Sequence, residues 1–249
     1  MKAMVLAAGL GTRLRPLTDD RPKALVEVAG HTLLEITLLR LRSFGVHEVI
    51  INTHHFADQV AEFLHAHGSL GMRIEISREE ELLDTGGGLK KAAAFFLHSA
   101  DPDEPFVAHN VDVLSSVDLS SMLRLHREHS ALATLAVQDR STSRYLLFDS
   151  SGLLCGRRAG LDGEPECARP ARDAQARAFC GIHILSPRIF SLMQEEGAFS
   201  IIDVYLRLAA LGESILAFPA DGCYWRDLGR PASIAQAAND IASGAYPGL

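Results

Sequence analysis

Lysine is nearly missing from this chain: Lys2, Lys23, Lys90 and Lys91 are the only ones in 249 residues, and the rest of the positive side-chain charge is arginine. A lysine in a chemically suggestive place therefore carries information. Basic residues as a group are outnumbered, 24 against 31 acidic, leaving a formal net charge of −7 without any basic run or stripe. That balance argues against nucleic acid or an anionic membrane surface as the main partner, so an anionic ligand has to be met by local groups. Cysteine is sparse too. Cys155, Cys167, Cys180 and Cys223 lie far apart with no CxxC spacing, which fits neither a zinc site nor a disulfide framework and points to a reducing cytoplasm. No segment approaches the roughly 18 uninterrupted apolar residues of a bilayer span. The apolar start MKAMVLAAGLGTRL breaks at Gly9 and meets Arg13 and Arg15, unlike a signal peptide.

What is present is an ordinary globular composition, 47% apolar and 22% charged, which excludes disorder and allows a single domain, 1–249, with a sizeable core. Apolar runs of strand length, over 3–7, 48–52, 73–77, 106–109 and 131–137, alternate with helical patterns over 33–42, 57–67, 89–97 and 119–129. This is a βαβ rhythm, and runs such as MVLAA and EVIIN, apolar on both faces, belong to a sheet covered by helices on both sides. After Asp139 the pattern changes, with short strands over 145–148 and 153–154 around a turn at 149–152, an antiparallel appendage. Residues 156–177, rich in charge, Gly, Pro and Ala, read as a mobile loop. A strand over 179–185, a helix opened by Ser200 and running through Leu211, a strand over 215–218 and a last helix over 232–242 led by Pro231 follow. The expected fold class is α/β: a three-layer Rossmann-like fold with a mixed, mostly parallel central sheet and a small antiparallel appendage.

Among residues that bear chemistry, the first group is Ala7-Ala8-Gly9-Leu10-Gly11-Thr12-Arg13-Leu14, directly after the first strand. Glycine there lets backbone N–H groups approach phosphate oxygens, although a plain βα turn also uses glycine. No GK[ST] follows as in a Walker A loop, and Leu14 holds the place of the third glycine of a dinucleotide fingerprint. Within a dozen residues come Arg15 and Arg21-Pro22-Lys23. Pro22 restricts the backbone, and Lys23, beside the apolar Ala24-Leu25-Val26, is expected at the rim of the fold rather than loose in solvent. A glycine turn followed by cations suits a polyphosphate.

LAAGLGTRL followed by RPKAL resembles the signature of the sugar-1-phosphate nucleotidyltransferases, which make nucleotide sugars from an NTP and a sugar phosphate. The resemblance continues in order through Leu83-Asp84-Thr85-Gly86-Gly87-Gly88, His109-Asn110-Val111-Asp112, Phe179-Cys180-Gly181-Ile182 and Trp225-Arg226-Asp227-Leu228-Gly229. The short chain and the DTGGG variant look most like the group that holds N-acetylmuramate-1-phosphate uridylyltransferases and mannose-1-phosphate guanylyltransferase-like proteins. The resemblance implies attack of a sugar-phosphate oxygen on the α-phosphorus of the NTP, with pyrophosphate leaving, so the protein positions anions and offsets charge. It implies Mg²⁺ as cofactor, held by Asp112 and Asp227, because that ion takes one or two carboxylates plus substrate phosphates. Arg13 and Lys23 become the cations on the leaving pyrophosphate and the α-phosphate, neither acting as a general base. Ala7, Ala8, Gly9, Gly11 and Thr12 line the nucleotide, with Thr85, Gly86 and Gly87 beside the base as a loop of close backbone approach and Asn110 reaching toward it. Residues 1–138 serve mainly the nucleotide and 139–249 mainly the sugar phosphate. UTP is the first expected nucleotide and GTP the second.

On the sugar side, Gly181, Asp203 and Arg144 stand where relatives line the sugar-phosphate pocket. Here the chain departs from the thymidylyl- and glucose-uridylyltransferases, which place a second lysine after a glutamate: no lysine exists beyond Lys91, so Arg144 or an arginine of 156–177 has to substitute. Val111 is a second departure, since relatives commonly have glycine before the metal aspartate. His54-His55 could suggest a metal pair, but adjacent residues of an extended chain point apart, which favours a loop or packing role. Trp225 reads as core or pocket wall and Phe95-Phe96 as a packed helix face. Two competing readings stand beside the enzyme: a non-catalytic regulator that binds a nucleotide or nucleotide sugar on the same fold, and an NAD-dependent oxidoreductase, which Leu14 and the following cations disfavour.

Overall fold

Consecutive apolar residues of β1 (Lys2–Leu6) point to opposite faces of a sheet, and both faces are covered: Ala3 and Val5 enter one buried core while Met4 enters another. The computed structural model describes residues 1–98, 101 and 103–247. After β1 come a short hairpin of β2 (Glu27–Val28) and β3 (His31–Thr32), then α1 (Leu33–Ser43), β4 (Glu48–Thr53), α2 (Ala57–Ala66), β5 (Arg73–Arg78), α3 (Asp84–Lys91), α4 (Ala93–Leu97) and β6 (Phe106–Asn110). The second half runs β7 (Val113–Ser115), α5 (Leu119–Glu128), β8 (Ala133–Gln138), β9 (Arg144–Phe148), β10 (Leu154–Ala159), β11 (Pro165–Cys167) and β12 (Gln175–Leu185). It ends with α6 (Ile189–Leu192), α7 (Ile201–Ala210), β13 (Ile215–Pro219), β14 (Trp225–Asp227) and α8 (Pro231–Ala242).

Ten strands make one sheet in the order β11-β10-β9-β12-β6-β1-β4-β5, with β8 beside β12 and β13 beside β8. β1 lies parallel to β4 and β6, and β13 parallel to β8, whereas β12 runs against β6, β8 and β9. Only β10 and β12 oppose the other eight strands, so the sheet is mixed and mostly parallel, as the βαβ rhythm implied. Local signals fix several element starts. The Thr32 hydroxyl accepts from Glu35 N at 3.1 Å to begin α1, the Ser200 side chain accepts from Ile202 N to begin α7, and Pro231 occupies the first turn of α8. All four cysteines are free. Among the described residues no helix is long and apolar enough to cross a membrane.

Two expectations are corrected. Residues 156–177 are not a loop: β10 and β11 pair as a hairpin, and the start of β12 pairs with β9. Their charge and glycine content hid strands that have one wet face at the margin of the sheet, where polar residues are tolerated. The helix expected over 89–97 begins five residues earlier, at Asp84, and is divided into α3 and α4, so the three glycines lie inside a helix.

Three imidazoles are buried in this framework. Burial holds His109 and His126 each down to about 4, with Arg40 and Arg127 respectively adding to the effect, and holds His183 down to about 3. Between those values and the ordinary imidazole value near 6.5 the unfolded chain binds more protons than the folded one. Stability is therefore complete above pH ~6.5 and falls as pH drops, by about 1.4 kcal/mol per unit for each buried imidazole. Thermal melts from pH 7.5 to 4.5 should show a progressively falling midpoint, and a midpoint flat down to pH 5 would contradict this assignment.

Candidate active site

The turn after β1 is shaped by Gly11, which sits at φ 65° and ψ 20° ahead of the single helical turn Thr12–Leu14. A Cβ there would come within 3.0 Å of the Thr18 methyl and 3.2 Å of Lys23 Cβ, so glycine is needed for conformation and space together. Thr18 Oγ1 donates to the Gly11 carbonyl at 2.9 Å and locks the turn. Ala7 N donates to Asn52 Oδ1 at 2.8 Å, while the N–H groups of Ala8, Gly9, Leu10 and Gly11 have no protein partner among the described residues. Such a run of open donors is of the kind that can receive an anion. A Cβ on Gly9 would meet nothing within 4 Å.

Lys23 follows Pro22 on a second single turn, Lys23–Leu25, and its ammonium pairs with Asp112 Oδ2, both side chains being largely buried. Asp112 comes just after β6 and immediately before β7. β7 pairs antiparallel with β14, setting Val113 opposite Asp227, and Leu228 N donates to the Asp112 carbonyl at 2.8 Å. The two aspartates are thus brought together at one end of a two-stranded ladder although they are 115 positions apart in sequence. Gly229 N donates to Asp227 Oδ1 at 2.6 Å, and neither Asp112 Oδ1 nor Asp227 Oδ2 has a hydrogen-bonding partner among the described residues. The Arg13 guanidinium lies against Gly229, where a Cβ would be 2.9 Å from Nη2. Val111, in place of a glycine, keeps an ordinary negative φ and is buried, so the bulkier residue does not strain this junction.

Two cavities meet here. One of about 580 Å³ is lined by Ala8, Gly9, Lys23, Asn52 and Leu82; the other, of about 800 Å³, by Arg140, Arg144, Gly181, Asp203, Trp225 and Asp227. Asp84, Thr85, Asn110 and Asp112 line both and form the wall between them. In the larger lobe Gly181 stands at φ 73°, where a Cβ would lie 2.8 Å from Asn110 Nδ2, so glycine here makes room for Asn110. Asp203 holds Arg157 at 2.5 Å, and Arg144 is exposed on β9.

Not every expected residue faces the cavity. Gly86 and Gly87 are buried, and both N–H groups are taken by the Phe199 carbonyl, at 2.9 and 3.3 Å. Their missing Cβ atoms make room for protein: one on Gly86 would press 2.5 Å from the Phe199 ring and one on Gly87 would overlap the Gly197 carbonyl oxygen. The close approach foreseen at this motif therefore joins α3 to the segment before α7. Thr85 does line the wall, and its hydroxyl accepts from Ile201 N at 3.1 Å. Thr12 and Arg13 are exposed, and Ala7 is buried behind the turn.

Four residues, Asn52, Glu79, Asp84 and Arg140, were given no site role in the sequence reading. Buried Asn52 joins Ala7 to Glu79, donating to Glu79 Oε1 at 2.7 Å, while Leu83 N donates to Glu79 Oε2 at 3.0 Å; this chain ties the glycine turn to the start of α3. An apolar-then-polar strand end at Asn52 was the only sequence signal. Asp84 adopts φ 58°, an outlier for a residue with a Cβ, on the wall shared by both lobes. Arg140 lies in the larger lobe with its guanidinium 3.6 Å from the Trp225 ring centre. The modest readings of other residues hold: His54 Nδ1 bonds the Glu79 backbone at 2.9 Å, Trp225 is pocket wall, and Phe95 and Phe96 are buried.

A mixed, mostly parallel sheet with a glycine turn at its first strand, two aspartates at one end of a ladder and a two-lobed cavity at the carboxyl ends of its strands is the arrangement in which open α/β folds place ligands. The family model described as nucleotidyl transferase matches residues 2–244, and the chain belongs to that family, the sugar-1-phosphate nucleotidyltransferases. N-acetylmuramate alpha-1-phosphate uridylyltransferase of Caulobacter vibrioides is 36% identical over 238 residues, 92% of each chain. Mannose-1-phosphate guanyltransferase of Yarrowia lipolytica is 29% identical over 233 residues, which span 93% of this chain and 61% of that longer protein. Among solved structures, HddC from Yersinia pseudotuberculosis complexed with GMP-PN superposes with a TM-score of 0.74 at 21% identity, over 96% of this chain and 99% of that one. A putative glucose-1-phosphate thymidylyltransferase from Bacillus anthracis gives 0.77 at 19% identity, over 97% and 95%. These two share the fold.

Gly87→Ala should lower the melting temperature by several degrees, because overpacking against a backbone carbonyl costs about 1–3 kcal/mol. Gly222→Ala, where a Cβ meets nothing within 4 Å, should leave it unchanged. Equal melting of the two variants would contradict the packing role of the glycine-bearing helix.

Proposed function

We propose that the protein forms an NDP-sugar and pyrophosphate from an NTP and a sugar-1-phosphate, with UTP as the nucleotide and GTP the second choice. N-acetylmuramate 1-phosphate is the first acceptor to try, on the strength of the 36% identical uridylyltransferase. The observation that carries this reading is the shared wall: Asp112, paired with Lys23 and adjacent to Asp227, stands between a lobe lined by the glycine turn and a lobe lined by residues of the second half. In this reading residues 1–138 serve mainly the nucleotide and 139–249 mainly the sugar phosphate.

The turn donors and the open side of Gly9 receive the triphosphate, and Thr85 and Asn110 border the nucleoside. Lys23, held by Asp112 rather than free in solvent, offers its ammonium to the α-phosphate, and Arg13 meets the leaving pyrophosphate. The acceptor phosphate is already ionised at neutral pH, so no side chain need remove a proton. Its oxygen bonds to the α-phosphorus as the α–β bridging bond breaks and its electrons leave with pyrophosphate. Asp112 and Asp227, each with an unpartnered oxygen, suit a hard divalent cation that takes the rest of its ligands from substrate phosphates, and Mg²⁺ held there would offset charge on the α-phosphate.

Purified protein with Mg²⁺, four NTPs and a panel of sugar-1-phosphates should release pyrophosphate with UTP preferred; no release from any pair would sink the proposal. Nucleotide affinity in calorimetry without chemistry would favour the regulatory reading. Gly9→Ala should melt like the parent yet raise the KM for NTP at least several-fold, since its Cβ touches no protein group. Unchanged NTP kinetics in that variant would remove the turn from the nucleotide site.

A further inference from the structure

The larger lobe is lined by no lysine and by four arginines, Arg140, Arg144, Arg157 and Arg158. Their surroundings separate them. Arg157 is occupied twice, by Glu166 at 2.7 Å and Asp203 at 2.5 Å. Arg144 is exposed on β9, and Arg158 stands opposite Tyr145 on β10, two strands beyond β12 in the sheet order. Arg140 is different. Its guanidinium lies 3.6 Å from the Trp225 ring centre, and its Nη2 donates to the Phe179 carbonyl at 2.8 Å. Trp225 is itself fixed, its indole N–H donating to the Cys180 carbonyl at 2.8 Å.

The position of this stack decides its meaning. Trp225 and Asp227 are two residues apart on β14, and side chains at i and i+2 of a strand project to the same face. Arg140 therefore sits over the ring next to the Asp227 carboxylate, in the cavity that Asp112, just before β7, also lines. Its Nε, like that of Arg158, is buried and has no hydrogen-bonding partner among the described residues, so it is the place over Trp225 beside Asp227 that sets Arg140 apart. Arginine stays cationic even where burial works against its charge, as it does here, and part of the Arg140 donor fork is unused. A flat guanidinium fixed by stacking, with open donors beside the reacting centre, matches a tetrahedral dianion better than a neutral sugar hydroxyl.

We propose that Arg140, held in place by the face of Trp225, binds the phosphate of the incoming sugar-1-phosphate. The assignment rests on the transferase reading above. It makes Arg140 a substrate-binding residue and Trp225 its positioning partner, and it moves this role from Arg144 to a residue four positions earlier.

Trp225 is the only tryptophan in the chain, so its fluorescence reports directly on this stack. Arg140→Gln and Arg140→Lys are compared with the parent protein, with circular dichroism and melting to confirm folding. In steady-state assays Arg140→Gln should raise the KM for sugar-1-phosphate roughly 10- to 100-fold, the loss expected for a charge-assisted bond, while the KM for NTP stays within about twofold. Arg140→Lys should recover part of the loss, since it restores charge without the planar fork. In parallel, N-acetylmuramate 1-phosphate, glucose 1-phosphate and inorganic phosphate are titrated against the emission of Trp225 without nucleotide. At least one should give a saturable change in the parent that is weakened at least tenfold in Arg140→Gln. Equal shifts in both KM values, no shift in either, or equally tight titrations in parent and variant would overturn the assignment. If the parent turns over and Arg140→Gln shows no selective effect, this assignment fails alone. If the parent releases no pyrophosphate from any pair, the transferase reading fails, and the fluorescence titration still decides whether Arg140 binds the phosphate.

Discussion

The site depends on one ion pair, Lys23 with Asp112. It joins the segment after the glycine turn to the end of β6, two stretches 89 residues apart, and places a cation beside a carboxylate where the two cavity lobes meet. Both side chains are largely withdrawn from water. An ion pair in such a place contributes little net stability against apolar packing, while removal of either partner leaves a costly unpaired charge. Its value is therefore positional. The pair keeps an ammonium extended at the carboxyl edge of the parallel strands, where ligands of open α/β sheets bind.

Around that pair the protein invests in rigidity. Thr18 closes the turn from below, Asn52 and Glu79 brace it from the side, and the β7–β14 ladder brings Asp227 alongside Asp112. The buried glycines of α3 serve the same end, letting the helix sit directly on the segment that leads to α7. Sites built on strands and helices hold their geometry better than sites on free loops; here Asp227 lies on β14 and Asp84 and Thr85 open α3, while Lys23 and Asp112 sit on short connections locked to each other by their ion pair. The two cores on opposite faces of the sheet give that frame its support.

The βαβ half of the fold was legible because strands buried on both faces read as unbroken apolar runs, as in Met4-Val5-Leu6 and Val49-Ile50-Ile51. The antiparallel margin was not, because the edge strand β11 and its neighbour β10 expose a face and carry Arg157, Arg158 and Glu166 at strand positions that look like loop composition. At the site, Lys23 stood out through the scarcity of lysine, and Asp112 and Asp227 through their motifs. Asn52 and Glu79 left almost no trace, since a buried hydrogen bond between two polar side chains has no sequence period. Gly86 and Gly87 were legible as a motif but not in purpose: glycine signals close approach without saying whether the neighbour is a ligand or Phe199.

The amino-acid order alone determined the α/β class, the glycine turn and the cations that follow it, because these arise from short-range backbone preference and from periodic burial. Which arginine of the larger lobe stands beside Asp227, and that Asp112 and Asp227 are neighbours at all, was decided by tertiary structure. Those facts depend on pairing between strands more than a hundred residues apart, and local sequence carries no record of which distant surface a side chain will meet.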